Sequence, residues 1–89
     1  MELQWEVLGR LNTRKCQYSL KDMHKAIERA GATIVTVKRD NVWFPNLPIL
    51  VISKPISIFD DPKEVRQNVT RYLKIAGGMH TPLKFLGLK

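Results

Sequence analysis

The chain contains one cysteine, Cys16, and two histidines, His24 and His80. A lone thiol cannot form an intramolecular disulfide, which excludes a disulfide-built secreted module. These three residues also fail to supply the three or four closely spaced ligands that a metal site needs, so no metal and no cofactor is expected. There is no run of about eighteen apolar residues, and hence no expected membrane-spanning helix. The opening "MELQWEVLGR" lacks the basic-then-apolar layout of a signal peptide. A reducing, cytoplasmic setting is the expectation. Acidic residues are scarce too, and after Glu64 there are none.

What is present is ordinary globular material. The 89 residues are 44% apolar and 26% charged, enough for one domain and not the composition of a disordered chain. Fifteen Lys and Arg against eight Asp and Glu give a net charge of +7, which draws polyanions. Between Val7 and Arg39 the basic residues are Arg10, Arg14, Lys15, Lys21, Lys25, Arg29, Lys38 and Arg39, opposed only by Asp22 and Glu28.

Two helices are written clearly. Ser19 is a good N-cap, with Asp22 three residues on as a short-armed capping-box partner. Leu20, Met23, Ile27 and Ala30 mark an apolar face, and Gly31 supplies a left-handed stop. The second helix starts at Asp61 as N-cap, with Pro62 in the first helical position and Glu64 as the expected capping-box partner. Val65, Val69, Tyr72, Leu73 and Ala76 are expected to be its buried side, and Gly77-Gly78 its end.

Between the helices, "ATIVTVKR" and "ILVIS" read as strands, the second covered on both sides, with "VWFP" a short strand between them. "ISIF" extends the sheet or packs beneath it. The opening "ELQWEVLGRLN" fits either a strand or a helix, with the helix slightly preferred. The expected fold is therefore α+β: a two-layer sandwich of helix, three short antiparallel strands and helix, with an extra N-terminal helix or strand. Residues 19–77 would form the core. Residues 78–89 would form a docking tail, with Leu83, Phe85, Leu86 and Leu88 placed on the domain or on a second copy as a homodimer contact.

Catalytic groupings are sparse. Asp60 and Asp61 are adjacent carboxylates, but their position ahead of Pro62 marks them for capping and not for acid–base work. Gly77-Gly78 closes a helix and so does not cradle phosphate. Cys16 has no activating neighbour in sequence and reads as a buried small residue.

The basic residues carry more information. Lys21, Lys25 and Arg29 recur every four residues, a ridge on the first helix, and Lys63, Arg66, Thr70 and Lys74 form a stripe on the second. Lys38 and Arg39 sit at an expected hairpin tip beside Trp43 and Phe44, of which one is expected in the core and the other exposed to stack on a base. Lys21, Lys25, Arg29, Lys38, Arg39, Arg66 and Lys74 with Trp43 are thus the candidate nucleic-acid contacts, converging on one cationic platform that follows phosphates without reading sequence.

From Ser19 to Gly77 the layout, with "LKDMHKAIERAGATIVTVKRDNVWF" and "PKEVRQNVTRYLKIAGG" at its two ends, resembles the HicA family of small toxin ribonucleases. The resemblance implies a fold like a double-stranded-RNA-binding domain and an RNA-facing surface. Where that family carries Gly-Ser-His, this chain reads Arg39, Asp40 and Asn41, so Asn41 takes the catalytic histidine's place. An amide cannot exchange a proton near neutral pH, and ribonuclease activity is not expected.

The leading expectation is a non-enzymatic nucleic-acid-binding domain, for structured RNA before DNA. One alternative is a winged-helix DNA-binding regulator, with "ELQWEVLGRLN" as an early helix, "SLKDMHKAIERAG" in the major groove and "TVKRDNVWF" as the wing. Another is a protein-interaction module of the kind phages and mobile elements carry to inhibit an acidic host protein, anchored by Trp5, Trp43, Phe44 and the apolar tail.

Overall fold

A computed structural model describes residues 1–39 and 47–89. Its strands are β1 (Glu2–Leu8), β2 (Leu11–Asn12), β3 (Gln17–Tyr18), β4 (Thr33–Lys38), β5 (Ile49–Pro55) and β6 (Leu83–Leu88), with helices α1 (Leu20–Arg29) and α2 (Pro62–Gly77). Four strands make an antiparallel sheet in the order β4-β5-β1-β6, and β2 and β3 form a separate hairpin. Setting that hairpin aside, the chain runs β1–α1–β4–β5–α2–β6, the split β-α-β plan known as ferredoxin-like. The expected two-layer α+β class is what the chain adopts.

The opening segment is a strand, which corrects the preference for a helix. Leu3, Trp5 and Val7 alternate with Glu2, Gln4 and Glu6, and the alternation is used in full. Trp5 pairs with Ile52 of β5 on one side and with Phe85 of β6 on the other. Partners so distant in sequence are invisible to a local window, which sees only an apolar pattern compatible with either period. This placement also removes the early helix of the winged-helix reading. It also brings residues outside 19–77 into the core, and residues 78–89 dock on the domain through β6. The core cluster runs from Leu3 through Tyr18 and Met23 to Leu73, and β6 is the sheet edge beside β1.

One face of the sheet is covered by both helices. Leu3, Trp5 and Val7 meet Leu50 and Ile52, and with Met23, Ile27, Val69 and Leu73 they form the main core. The Trp5 ring is fully buried and lies 5.5 Å from that of Phe85, at a 60° tilt. As a buried core residue it cannot be the exposed anchor of the interaction-module reading. The opposite face carries Gln4 and Glu6 of β1, Val51 and Ser53 of β5, Thr36 and Lys38 of β4 and Lys84 of β6. "ILVIS" is buried on both of its faces, as its continuous apolar run implies.

The helix signals act locally as written. Ser19 Oγ accepts from Asp22 N, and Asp22 Oδ2 accepts from Ser19 N, both at 3.1 Å, so the short Asp closes the capping box. Gly31 takes φ +74°, where a side chain would be strained. At α2, Asp61 Oδ1 accepts from Lys63 N at 3.0 Å with Pro62 at the first position. Glu64 lies in the first turn, and the cap itself is made by Asp61 alone.

Two apolar expectations fail at the surface. Tyr72 is 45% exposed, because it flanks the buried stripe of α2 and does not lie within it. Ile58 and Phe59 of "ISIF" neither extend the sheet nor pack beneath it, and both project outward after Ile56. The expected strand "VWFP" and the aromatics Trp43 and Phe44 fall outside the described residues.

Candidate nucleic-acid interface

An α-helix turns about 100° per residue, so residues four apart drift by only about 40° and stay on one flank. Lys21, Lys25 and Arg29 of α1 obey this rule and are all exposed. The two helices lie side by side. The groove between them takes Asp22, Lys25, Ala26 and Arg29 from α1, and Tyr72, Ile75 and Ala76 from α2. One wall is therefore basic and the other apolar.

The basic stripe of α2 falls on the flank away from α1. Lys63, Arg66 and Arg71 line a second, shallow depression together with Gln67 and Thr70. Arg66 leans over the edge strand, its Cζ 4.1 Å from the centroid of the Phe85 ring, within cation–π range. Lys74, two turns beyond Arg66, is exposed on the same flank.

The candidate residues therefore divide. Lys21, Lys25 and Arg29 come together, and so do Arg66 and Lys74, but an apolar ridge of Tyr72 and Ile75 (73% exposed) lies between the two sets. Lys38 belongs to neither. It projects from the opposite sheet face, where its Nζ is 3.9 Å from Glu6 Oε1, the one ion pair recorded among the described residues. Arg39 sits with Arg10 at the end of the sheet where β4 finishes. Trp43 lies outside the described residues. The single continuous platform is thus corrected to two cationic flanks on the helix layer, with Lys38 behind them and Arg39 at one end.

Two residues with a place in this surface were not among the sequence candidates. Arg71 stands between the α2 stripe and the apolar ridge, and its signal was its spacing of four from Gln67 and three from Lys74. Tyr72 is the exposed aromatic of the helix layer. Its adjacency to Arg71 was the available hint, overridden by assigning it to the buried side.

Asp22 is the carboxylate in the groove. Its pKa lies below the usual carboxylate value because the Ser19 backbone N–H and then its hydroxyl bond the ionised form, with smaller help from Lys25 and Lys21. It is thus held charged by its capping role. Cys16 is buried, with its thiol on the Gly77 carbonyl, and Tyr18 donates to the Leu8 carbonyl at 2.6 Å. Burial, and then the charge of nearby Cys16, push the Tyr18 hydroxyl pKa far up. Both side chains hold the β2–β3 hairpin to the end of α2 and are buried away from the helix surface. His24 and His80 are exposed. No group of three His, Cys, Asp or Glu side chains arranged to hold a metal ion occurs among the described residues, and no helix among them is long and apolar enough to cross a membrane.

Comparison with protein-family models, curated proteins and solved structures finds no match.

Proposed function

We propose that the helix layer binds the phosphate backbone of structured RNA, without catalysis and without reading sequence. The observation that carries this reading is the distribution of charge. Lys21, Lys25 and Arg29 on α1 and Lys63, Arg66, Arg71 and Lys74 on α2 have no carboxylate within ion-pair distance among the described residues, whereas the one recorded pair lies on the other sheet face. Cations held without partners on one layer release counterions when a polyanion docks there.

The form of the layer favours RNA. Neither helix protrudes, because each lies against the other and on the sheet, so neither can enter a B-form major groove as a recognition helix does. A broad surface with two cationic flanks suits the shallow minor groove and flanking phosphates of A-form RNA, which is read by shape. Tyr72, between the flanks, offers a ring to an unpaired base. The reading does not rest on the open sheet face, where the described residues include no aromatic side chain.

The test is a fluorescence-anisotropy titration with an RNA duplex of about 16 base pairs, the span of a double-stranded-RNA-binding domain. The logarithm of affinity is expected to fall linearly with that of salt, and each helix-layer Lys or Arg removed should shallow the slope by about 1. Binding that ignores salt, or that is unchanged when Lys25 and Arg29 become Glu, refutes the reading.

A further inference from the structure

Phosphate contact gives no role to Ile75, an apolar side chain of α2 that is 73% exposed. It stands with Tyr72, 45% exposed, on the wall of the α1–α2 groove opposite Lys25 and Arg29. Single exposed apolar residues are ordinary, but two large ones a turn apart, both lining one groove, make a continuous strip. Ala26 and Ala76 also line the groove and are less exposed than its walls, so small side chains form the floor. The groove is a trough in form. Its lining recurs at Asp22, Lys25, Ala26 and Arg29 on α1 and at Tyr72, Ile75 and Ala76 on α2, steps of three and four that stay on one flank. From Asp22 to Arg29 the α1 wall rises about 10 Å, close to two helical turns. A third helix laid along such a trough touches both neighbours, its ridge seated over the alanine floor.

Charge selects the occupant. The apolar wall calls for an apolar stripe, and Lys25 and Arg29, with no ion pair recorded among the described residues, call for carboxylates beside that stripe. Asp22, the one carboxylate lining the groove, already accepts from the Ser19 backbone N–H as the cap of α1. A helix from a second copy does not fit these terms. The outer surface of α1 and α2 carries seven Lys and Arg against three carboxylates, so like charge would oppose it.

We propose that the groove between α1 and α2 receives an acidic amphipathic helix of another protein, its apolar stripe on Tyr72 and Ile75 and its carboxylates on Lys25 and Arg29. This is helix-in-groove recognition, in which apolar anchors supply affinity and charge pairs fix orientation and partner choice. Lys25 and Arg29 then serve either the partner helix or a phosphate backbone, one at a time, and that consequence alone rests on the RNA reading.

The probe is a designed peptide of three heptads with Leu at a and d and Glu at e and g, labelled for fluorescence anisotropy. Repulsion among its Glu residues keeps it from pairing with itself. The intact chain without nucleic acid should bind it with a Kd of about 10 μM or tighter, and a scrambled peptide lacking the apolar stripe at least about tenfold more weakly. Tyr72→Ala with Ile75→Ala should cost about thirtyfold, the loss expected of a hot-spot pair. Lys25→Glu with Arg29→Glu should also weaken binding, by about tenfold or more. A second peptide, with Lys in place of each Glu, should bind this last variant more tightly than it binds the parent. It should also bind it more tightly than a chain with the same charge change on the open face, Lys38→Glu with Lys84→Glu. The side chains of Lys25, Arg29, Tyr72 and Ile75 are exposed, so circular dichroism is expected to show native folds. A parent chain that does not bind, equal binding of the scrambled peptide, an apolar-wall variant that binds like the parent, or a charge exchange that restores nothing overturns the proposal. So does a failed peptide together with tighter binding of an RNA duplex that carries one bulged nucleotide than of an uninterrupted one, since the groove would then take a base. The peptide titration contains no RNA, so its failure leaves the RNA reading standing, and duplex binding that ignores salt removes only the RNA reading.

Discussion

The two faces of the sheet come from the same alternating strands, yet they finish with opposite surface logic. On the covered face, Trp5, Leu50 and Ile52 vanish beneath α1 and α2, and the outer surface of those helices carries seven Lys and Arg against three exposed carboxylates, Asp22, Glu28 and Glu64. On the open face the charges alternate: Lys84 is the cross-strand partner of Glu6, and Glu6 is paired with Lys38. A row of alternating signs screens itself and presents little field at a distance, whereas like charges on neighbouring helices add. Net charge therefore says less about function than which layer holds it.

The sharpest way to break this comparison is to exchange neighbours that face opposite ways. Trp5→Ala removes a ring with no exposure from the core, at a cost of about 3–5 kcal/mol. That is a large share of the roughly 5–15 kcal/mol available to a small domain, and the variant is expected to be largely unfolded. Gln4→Ala, one residue away on the open face, should stay within about 0.5 kcal/mol. Urea unfolding of both compares them directly, and similar losses would mean that the open face is packed as tightly as the other.

The second contrast concerns binding. Lys25→Glu with Arg29→Glu reverses two cations on the helix layer and should weaken duplex-RNA binding by tenfold or more, about 1.4 kcal/mol at the least. Lys38→Glu with Lys84→Glu makes the same change of net charge on the open face and should alter affinity by less than about threefold. Equal losses would show that total charge governs binding and that its placement does not.

Buried polar groups give a smaller contrast. Tyr18→Phe deletes the hydroxyl that donates to the Leu8 carbonyl inside the core and should cost about 1–2 kcal/mol. Ser53, on the open face and only 2% exposed, has a hydroxyl with no partner among the described residues. Ser53→Ala removes a buried group that makes no bond, so its effect should be within about 0.5 kcal/mol or slightly stabilising. Thermal unfolding of the two variants side by side checks the pair.

What the sequence disclosed follows the range of the forces involved. The helices were legible because their signals are local: Ser19 with Asp22, Asp61 with Pro62, and Gly31 and Gly78 at positive φ. β1 was not, because its period is decided by Ile52 and Phe85, which a window around Trp5 does not contain. Tyr72 was misplaced for a related reason. Periodicity marks the buried stripe of a helix but not where the neighbouring helix stops covering it. Both basic ridges could be read as ridges, since four-residue spacing guarantees a shared flank. That α2 turns its ridge away from α1 depends on which edge of the sheet each helix covers, and that follows from strand order. Ile58 and Phe59 read as extending the sheet or packing beneath it, because an apolar residue carries no mark of being left outside.

The smallest expected effect joins the two halves of the site. Asp22 caps α1 and also stands in the basic groove, so its ionised state favours the fold and opposes phosphate at once. Its pKa is lowered in the folded chain, chiefly by the Ser19 backbone N–H. The stability it contributes is therefore fully present above the unfolded carboxyl value of about 3.9 and lost as pH falls through the lower folded value. Asp22→Asn keeps the shape but cannot ionise, so its melting temperature should lie below that of the parent at pH 6 and approach it as pH falls below about 4. A gap unchanged across that window would mean that the cap does not depend on charge. At neutral pH the same variant should bind duplex RNA slightly more tightly, because the groove loses its one opposing charge beside Lys25 and Arg29. Tighter binding together with a weaker helix start would place the trade-off in this single carboxylate. A substitution on the open face has no means of producing it.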